Sequence, residues 1–218
     1  MSIPTIVPYA MPSAADLPGN VVDWRPDPDR AALLIHDMQQ YFVDFFPPGA
    51  DPVVPLIRNI GRIRDAARRL GLPVFYTAQP GGMSRPERGL LLDMWGPGMS
   101  ADPAGRRIVA PLAPGPADTV LTKWRYSAFA RSDLEQRLAA AGRDQLVVCG
   151  VYAHVGCLIT ANDAFSRDIQ PFLVADAVAD FTAGEHRMAL SWAARRCASV
   201  LTAAALLEAL EPRRVTVA

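Results

Sequence analysis

Acidic, amide and basic side chains follow separate apolar runs of this sequence, and together they could perform acid–base chemistry on an anionic ligand. Asp37 ends the run AALLIHD, Gln79 ends PVFYTAQ, and Lys123 lies near the end of TVLTKW. A carboxyl group can donate a proton, whereas amide and ammonium groups donate hydrogen bonds to carboxylates. These residue types therefore indicate a general acid beside an anion-binding pocket.

The runs that carry these residues have the pattern of buried strands. They are short, continuously apolar and rich in Val, Leu and Ile, as expected of strands covered on both faces. Helical patterns alternate with them, which predicts an α/β fold with a parallel sheet and right-handed crossovers. The predicted strands cover residues 31–37, 73–79, 119–124, 145–151, 171–176 and 199–203, and the predicted helices cover 55–71, 132–142, 156–168 and 183–198.

Helix-stop and helix-capping residues set the predicted boundaries of these helices. Gly71 with Pro73 is a helix stop signal, and Ser132 with Glu135 has the spacing of a capping box. The segment 80–118 breaks the strand–helix rhythm with many Gly and Pro residues. A loop of that length is usually functional.

Ligands of open parallel sheets bind beyond the carboxyl ends of the strands. The residues predicted at those ends combine an acid, an amide, a base and aromatic rings. They are Asp37, Gln79, Lys123 to Tyr126, Val151, Tyr152 and Asp176. We therefore expect one pocket at this edge of the sheet.

Length, hydrophobic content and charge limit the classes of protein to which this chain can belong. The chain has 218 residues, 50% hydrophobic, with 22 basic and 22 acidic residues. We expect one domain over residues 1–218, with a Pro-rich N-terminal arm over 1–30 that lies on the domain and could reach a neighbouring subunit. Zero net charge argues against nucleic-acid binding, and no apolar run reaches the roughly 18 residues of a membrane span. With no signal-peptide pattern, a cytoplasmic location is expected.

The cysteines and histidines give no sign of a metal site or a disulfide framework. Three cysteines without CxxC spacing indicate reduced thiols, and three scattered histidines do not form an HxxxH pair. We expect His36 and His154 to be structural. The cysteines are Cys149, Cys157 and Cys197.

Six motifs in order resemble the isochorismatase branch of the cysteine-hydrolase superfamily. They are LLIHDMQQYF, YTAQP, LLDMWGPGM, LTKWRYSAF, GVYAHVGC and DIQPFLVADAVADFT, within residues 1–205. The pattern is most similar to siderophore isochorismatases and phenazine-type aminodeoxyisochorismate hydrolases. The resemblance implies a Rossmann-like three-layer αβα sandwich with a six-stranded, mainly parallel sheet, often dimeric. It also implies cofactor-free cleavage of the enolpyruvyl vinyl ether of a dicarboxylate, which releases pyruvate.

The same resemblance implies roles for Asp37 and Lys123. Asp37 would protonate the terminal vinyl carbon, and water would capture the resulting oxocarbenium ion. Lys123 would lie beside it, and a nearby ammonium lowers the pKa of a carboxyl group. Our hypothesis is that a substrate carboxylate engages Lys123 and so raises the pKa of Asp37 in the complex.

Substrate binding is expected from the loop after the second strand and from the turn after the fourth. The resemblance implies a loop arginine that binds a carboxylate, for which Arg88 is preferred over Arg85 and Arg125. Gln79 would bond a carboxylate or a ring hydroxyl. Backbone N–H groups before a helix would form an anion site at Tyr152 and Gly156. Phe42, Trp95 and Tyr126 would wall the pocket.

A cysteine amidohydrolase of the same fold is the first alternative. The amidohydrolases of the superfamily have a pattern like G-x-x-T-x-x-C, and counting from Gly150 puts Ala153 at the Thr position and Gly156 at the Cys position. Cys157 is one residue late, a helical rotation of about 100°. We therefore expect its thiol to point away from the pocket. The second strand is also not followed by the histidines that bind metal in some relatives.

Two further alternatives come from other classes of protein. A non-catalytic carrier-docking partner is one, although the 218 residues contain no aryl carrier domain. A nicotinamide-dependent dehydrogenase is disfavoured because no GxGxxG follows the first strand. The motifs leave open whether ring carbon 2 of the substrate bears a hydroxyl or an amino group.

Overall fold

The computed structural model describes residues 3–211, and its centre is one sheet of six strands. All neighbouring strands are parallel, in the order β3-β2-β1-β4-β5-β6. The predicted sheet was mainly parallel, and the sheet of the described residues is entirely so. The strands are β1 Ala31–His36, β2 Val74–Ala78, β3 Thr119–Thr122, β4 Gln145–Val151, β5 Gln170–Ala179 and β6 Ser199–Leu201.

Helices cover both faces of the sheet and complete three layers. One face packs against α2 and α9, and the opposite face packs against α6, α7 and α8, with a separate apolar core on each side. No helix in the described residues has the length and apolar character needed to cross a membrane. The helices are α1 Gln40–Val43, α2 Val53–Arg69, α3 Arg85–Arg88, α4 Leu91–Trp95, α5 Pro103–Arg106, α6 Leu134–Ala140, α7 Leu158–Phe165, α8 Ala183–Arg196 and α9 Ala203–Leu210.

The apolar pattern of the sequence accounts for the central strand and its first helix. All six residues of β1 are buried, as a strand covered on both faces requires. In α2, the predicted apolar residues Leu56, Ile60 and Ile63 are at most 1% exposed. The helix ends before Gly71, whose positive φ of 71° suits the end of a helix.

The strand order reverses between β1 and β4, and this reversal opens a crevice. The chain leaves β1 toward β2 on one side and leaves β4 toward β5 on the other. Such a switch point is where open α/β sheets bind ligands. Asp37 follows β1 directly, and Tyr152 follows β4 directly.

Several local predictions were wrong at element ends. Helix α6 begins at Leu134 with Asp133 as its N-cap. The predicted capping box does not form: the Ser132 hydroxyl accepts the N–H of Leu134 at 3.3 Å rather than that of Glu135 and donates to Ala128 O, and the Glu135 carboxylate pairs with Arg167. The segment 80–118 contains α3, α4 and α5 rather than loop alone.

The sheet differs from the prediction mainly in its fifth strand. Strand β5 runs to Ala179, beyond the predicted end at residue 176. Asp176 therefore lies within the strand, where its Oδ1 accepts the Ala203 N–H at the start of α9, 2.6 Å away. A π-helical turn, Ala153–Cys157, precedes α7, although an α-helix was predicted from residue 156.

The N-terminal arm packs on its own chain. The Ile6 amide donates to Phe45 O at 3.2 Å, and the Ile6 side chain is 1% exposed. Farther along, the Asn20 side chain makes two hydrogen bonds of 2.9 and 2.8 Å with the backbone of Val200 at β6. The arm is therefore held at several points along the domain.

Candidate active site

A cavity of about 620 Å³ lies at the switch point of the sheet. The nine residues that were given catalytic or substrate-binding roles all line this cavity, whereas Trp124 and Asp176, which were also expected at this edge, do not. The nine are Asp37, Phe42, Gln79, Arg88, Trp95, Lys123, Tyr126, Tyr152 and Gly156.

The carboxyl group of Asp37 lies at the polar end of the cavity. Asp37 is 4% exposed, and its Oδ2 is 3.2 Å from Lys123 Nζ. Its Oδ1 accepts a short hydrogen bond from the Thr77 hydroxyl, which in turn accepts the Asp37 N–H at 3.0 Å. Asp37 has a φ of 49°, in the left-handed region that non-glycine residues rarely adopt. Backbone outliers of this kind cluster at functional sites.

The surroundings of Asp37 favour its ionised form. Burial raises the pKa of Asp37, but Lys123, His36 and the Thr77 hydroxyl together lower it more, so that the pKa lies below its ordinary value. Burial and the charge of Lys123 lower the pKa of His36 to about 4, so its imidazole is neutral near pH 7. Its Nδ1 lies 2.9 Å from Val151 O, which identifies Nδ1 as the protonated nitrogen.

An amide connects the acid to an arginine. Gln79 Nε2 is 3.5 Å from Asp37 Oδ2, and Gln79 Oε1 accepts from Arg88 Nη1 at 3.2 Å. Arg88 also donates to Gly96 O at 3.0 Å. Gln39 fixes the backbone of Gln79 through bonds of 2.7 and 2.9 Å to its N–H and its carbonyl. Helix α3 and strand β2 thus bring Arg88 and Gln79 to the same side of Asp37.

The two competing arginines lie in different places. Arg125 lines the cavity, and its Nη1 donates to Glu87 O at 2.8 Å and to Trp124 O at 2.6 Å. Arg85 is exposed and is not among the residues that line the cavity. Three cations, Lys123, Arg88 and Arg125, therefore face a single carboxylate among the described lining residues, which suits an anionic ligand.

Aromatic side chains form the apolar wall. Trp95 Nε1 donates to the Tyr126 hydroxyl at 2.6 Å, and the Tyr152 hydroxyl donates to Phe42 O at 2.7 Å. The ring of Phe181 lies 4.4 Å from that of Tyr152 and 6.0 Å from that of Trp95. The polar groups of this wall are thus satisfied within the wall, and its faces are left for apolar contact.

Sequence reasoning missed Thr77, Phe181 and Ile3. Thr77 lies two residues before Gln79, and the alternation of β2 was a signal that could have placed both on one face. Phe181 follows β5, whose end was predicted too early. Ile3 lines the cavity from the N-terminal arm. Ile3 is far in sequence from every motif, so no sequence pattern indicated that it would line the cavity.

Gly156 plays a different part from the predicted one. Its N–H donates to Tyr152 O at 3.0 Å, so the prediction that it would bind an anion was wrong. The absence of a side chain at Gly156 leaves room for the His36 ring, since a Cβ atom at Gly156 would lie 2.1 Å from His36 Cε1. A Cβ at Gly150, whose φ is 119°, would lie 2.1 Å from His36 O. The two glycines therefore let β4 and the π-helical turn approach His36, the residue before the acid.

Cys157 lies in the apolar core between the sheet and α7 and α8. Its side chain is fully buried and is not among the residues that line the cavity. Burial raises the pKa of its thiol well above the ordinary value, which suppresses the nucleophilic thiolate. The predicted orientation, away from the pocket, is confirmed. In residues 3–211, no cluster of three or more His, Cys, Asp or Glu side chains is placed to hold a metal ion.

We expect Cys157→Ala to retain catalysis. The substitution removes one buried sulfur atom, so a small loss of thermal stability is expected with kcat within about twofold of the wild type. Steady-state kinetics beside a melting curve would measure both. A loss of turnover without a matching loss of folded protein would restore the cysteine hydrolase alternative.

Comparisons of the sequence with known proteins identify related chains. The model of the isochorismatase domain matches residues 31–205. The phenazine biosynthesis protein PhzD of Pseudomonas fluorescens is 59% identical over 200 residues, which cover 92% of this chain and 96% of that protein. The isochorismatase of Bacillus subtilis is 53% identical over 211 residues, covering 97% of this chain and 68% of that protein.

A solved structure supports the fold independently. The crystal structure of a cysteine hydrolase from Pseudomonas syringae has a TM-score of 0.79 at 24% identity, and it covers 87% of this chain and 96% of that one. Identity at that level indicates a common fold and nothing about the reaction. The family resemblance of the six motifs is confirmed by the family model and the relatives: the chain belongs to the isochorismatase family.

Proposed function

We propose that this enzyme hydrolyses the enolpyruvyl vinyl ether of isochorismate or its 2-amino-2-deoxy analogue. The products would be pyruvate and a dihydro-dihydroxybenzoate from isochorismate, or pyruvate and a dihydro-hydroxyanthranilate from the amino analogue. Relatives named for isochorismate hydrolysis and for phenazine synthesis support both ring substrates. A siderophore or phenazine-type antibiotic pathway is the expected setting.

Asp37 is the group that carries the chemistry in this proposal. A vinyl ether hydrolyses through protonation of its terminal carbon, which produces an oxocarbenium ion on the neighbouring carbon. Asp37 would deliver that proton, and its carboxylate would then stabilise the cation. Water adds to the cationic carbon, and the hemiketal collapses to pyruvate and the ring alcohol. The reaction requires no nucleophile from the protein and no cofactor.

The observation that carries the proposal is the buried Asp37–Lys123 pair at the end of an otherwise apolar pocket. The ammonium of Lys123 keeps the acid ionised in the free enzyme. A substrate carboxylate that binds Lys123 adds negative charge beside Asp37 and raises its pKa. Arg88 and Arg125 supply charge for the second carboxylate. Binding of the dianion would thereby convert Asp37 into a protonated acid.

This account predicts a difference between two pH profiles. Asp37 is active when protonated, so each profile falls as pH rises through the relevant pKa. The profile of kcat/KM reports the free enzyme, in which the pKa of Asp37 is low, and that of kcat reports the complex. We expect kcat to fall at a higher pH than kcat/KM does. Coincident profiles, or the opposite order, would refute the role assigned to the substrate carboxylate.

The test of the function is pyruvate release by enzyme that has been dialysed against a chelator. Isochorismate and its 2-amino analogue are assayed in parallel with a coupled lactate dehydrogenase reaction. Turnover of either substrate without added metal supports the proposal, and the ratio of their kcat/KM values selects the ring substituent. Binding of a carrier protein with no pyruvate from either substrate would support the non-catalytic alternative instead.

We also propose that the enzyme is a cytoplasmic homodimer of single-domain chains, with small molecules rather than nucleic acids or membranes as partners. This rests on the family resemblance and on the balanced charge of the sequence. Light scattering coupled to size exclusion would measure the mass of the particle. A monomeric mass across micromolar concentrations would contradict the dimer.

A further inference from the structure

The N-terminal arm crosses the edge of the sheet that carries the cavity. The amide of Ile6 donates to Phe45 O, in the segment that follows β1 and α1. The hydroxyl of Tyr9 bonds the backbone of Asp180, directly after β5. Phe45 belongs to the segment that follows β1 and Asp180 directly follows β5, so the arm is attached on both sides of the switch point, and Ile3, just before the first attachment point, lines the cavity.

Tyr9 is a half-buried anchor whose hydroxyl uses both its donor and its acceptor. It accepts the Asp180 N–H at 2.8 Å and lies 3.1 Å from His186 Nδ1. His186 Nε2 lies 3.0 Å from Ala175 O, so Nε2 carries the proton and Nδ1 accepts from Tyr9. A hydroxyl in this position specifies one arrangement of the arm, since any shift leaves buried polar groups unpaired.

Asp180 joins this anchor to the wall of the cavity. Its carboxylate accepts the N–H of His154 and contacts His154 Nδ1, both at 2.7 Å, and it accepts the N–H of Phe181 at 2.9 Å. Asp180 itself is fully buried. The same residue therefore bonds Tyr9, the start of the π-helical turn and the backbone of Phe181, whose ring lines the pocket.

Ile3 is the part of the arm that reaches the ligand space. Its side chain is half-buried, packs against the core and lines the cavity. The arm lies outside residues 31–205, the part of the chain that the family model matches. Ile3 thus contributes to the wall of the cavity from outside the matched range.

We propose that the arm is a specificity-determining part of the active site. Ile3 closes the apolar wall against the ring of the substrate, and Tyr9 is a positioning residue that sets where Ile3 lies. The proposal rests on the vinyl-ether hydrolase function for its substrate, and it extends that function to a segment beyond the matched domain. The arm would act on binding, while the proton transfer at Asp37 would proceed unchanged.

Kinetics of matched variants test the role of Ile3. Ile3→Ala removes apolar contact with the bound ring, so KM for isochorismate should rise roughly 3- to 10-fold with kcat within about twofold. Val7→Ala is the control, because Val7 belongs to the same arm and is 73% exposed. An Ile3→Ala enzyme with the KM of the wild type would overturn the proposal.

A second pair of variants separates positioning from stability. Tyr9→Phe should raise KM in the same direction as Ile3→Ala, because it releases the arm over the pocket. Asn20→Ala breaks an arm contact of two hydrogen bonds at β6, so it should lower Tm while KM stays at the wild-type value. Equal KM changes in both variants would mean that the anchor acts through general stability, and would overturn the positioning role.

A thiol placed inside the pocket tests the arm without any substrate. Val155 lines the cavity, and the three native cysteines are all buried. In Val155→Cys, a methanethiosulfonate reagent should label the new thiol several-fold faster when Ile3→Ala is added, and at an unchanged rate when Val7→Ala is added. If neither substrate yields pyruvate, the proposed function fails. The labelling rates alone then decide whether the arm closes the pocket. Equal labelling rates would then overturn closure by the arm.

Discussion

Replacing Asp37 with alanine should lower kcat for pyruvate release by about 10³- to 10⁴-fold, the upper part of the range for general acid catalysis. The reason is that Asp37 is the only carboxyl group among the described residues that line the cavity. Its loss leaves the vinyl carbon without a proton donor. Substrate binding should survive, because the cations Lys123, Arg88 and Arg125 remain in place.

The measurement pairs single-turnover kinetics with calorimetry. Asp37→Ala is compared with Asp93→Ala, which removes an exposed carboxylate from α4 beside the pocket. The control should retain wild-type turnover, and the titration of isochorismate into inactive Asp37→Ala should still give a binding heat. Residual activity above a few per cent in Asp37→Ala would assign the acid to another group.

Replacing Lys123 with methionine should lower kcat/KM by about 10²- to 10³-fold, mostly through KM. Truncating one partner of a buried, hydrogen-bonded charge pair in a complex typically costs about 2–5 kcal/mol of binding free energy. Methionine keeps the length of the side chain and removes the charge that binds a substrate carboxylate. The pKa of Asp37 in the free enzyme should rise, since the ammonium that lowers it is gone. The kcat/KM profile should therefore extend to higher pH.

Lys123 is the only lysine in the sequence, which allows a direct measurement. Protein labelled with ¹⁵N-lysine has a single side-chain ammonium resonance, and ligand binding to Asp37→Ala should shift it. Lys123→Arg is the matched variant, because it retains the charge with a different shape. We expect it to bind more tightly than Lys123→Met but to react more slowly than the wild type. An unmoved ammonium resonance would contradict carboxylate binding at Lys123.

The fold could be predicted because its information is local. Each apolar run is long enough to form a strand, and strands that alternate with helices permit little besides a parallel sheet. The prediction that every strand is buried was wrong for β3, which lies at the edge of the sheet and buries only Leu121. Element ends were predicted less well, since they depend on competing partners. The sequence around Ser132 has the pattern of a helix N-cap. In the structure its hydroxyl donates to Ala128 O, and helix α6 begins two residues later, at Leu134.

The residues of the site also differ in whether local sequence was enough to predict their positions. Residues within motifs at strand ends, such as Asp37 and Gln79, could be placed from the sequence because the sheet fixes where strands end. Phe181 and Ile3 could not, because the first depends on the length of β5 and the second on how an irregular arm folds back. The role of Gly156 was missed for a related reason. Its contact with His36 exists only in three dimensions, although both residues lie in recognised motifs.

The most direct test of the central claim is hydrolysis of isochorismate in H₂¹⁸O, with mass spectrometry of the ring product. If Asp37 protonates the vinyl carbon, water adds to the cationic carbon of the pyruvyl group, and the oxygen of the ring alcohol comes from the substrate. We predict a ring product that contains no ¹⁸O after a single turnover. Incorporation of ¹⁸O into the ring alcohol would mean that water attacks the ring carbon, and it would contradict carbon protonation by Asp37.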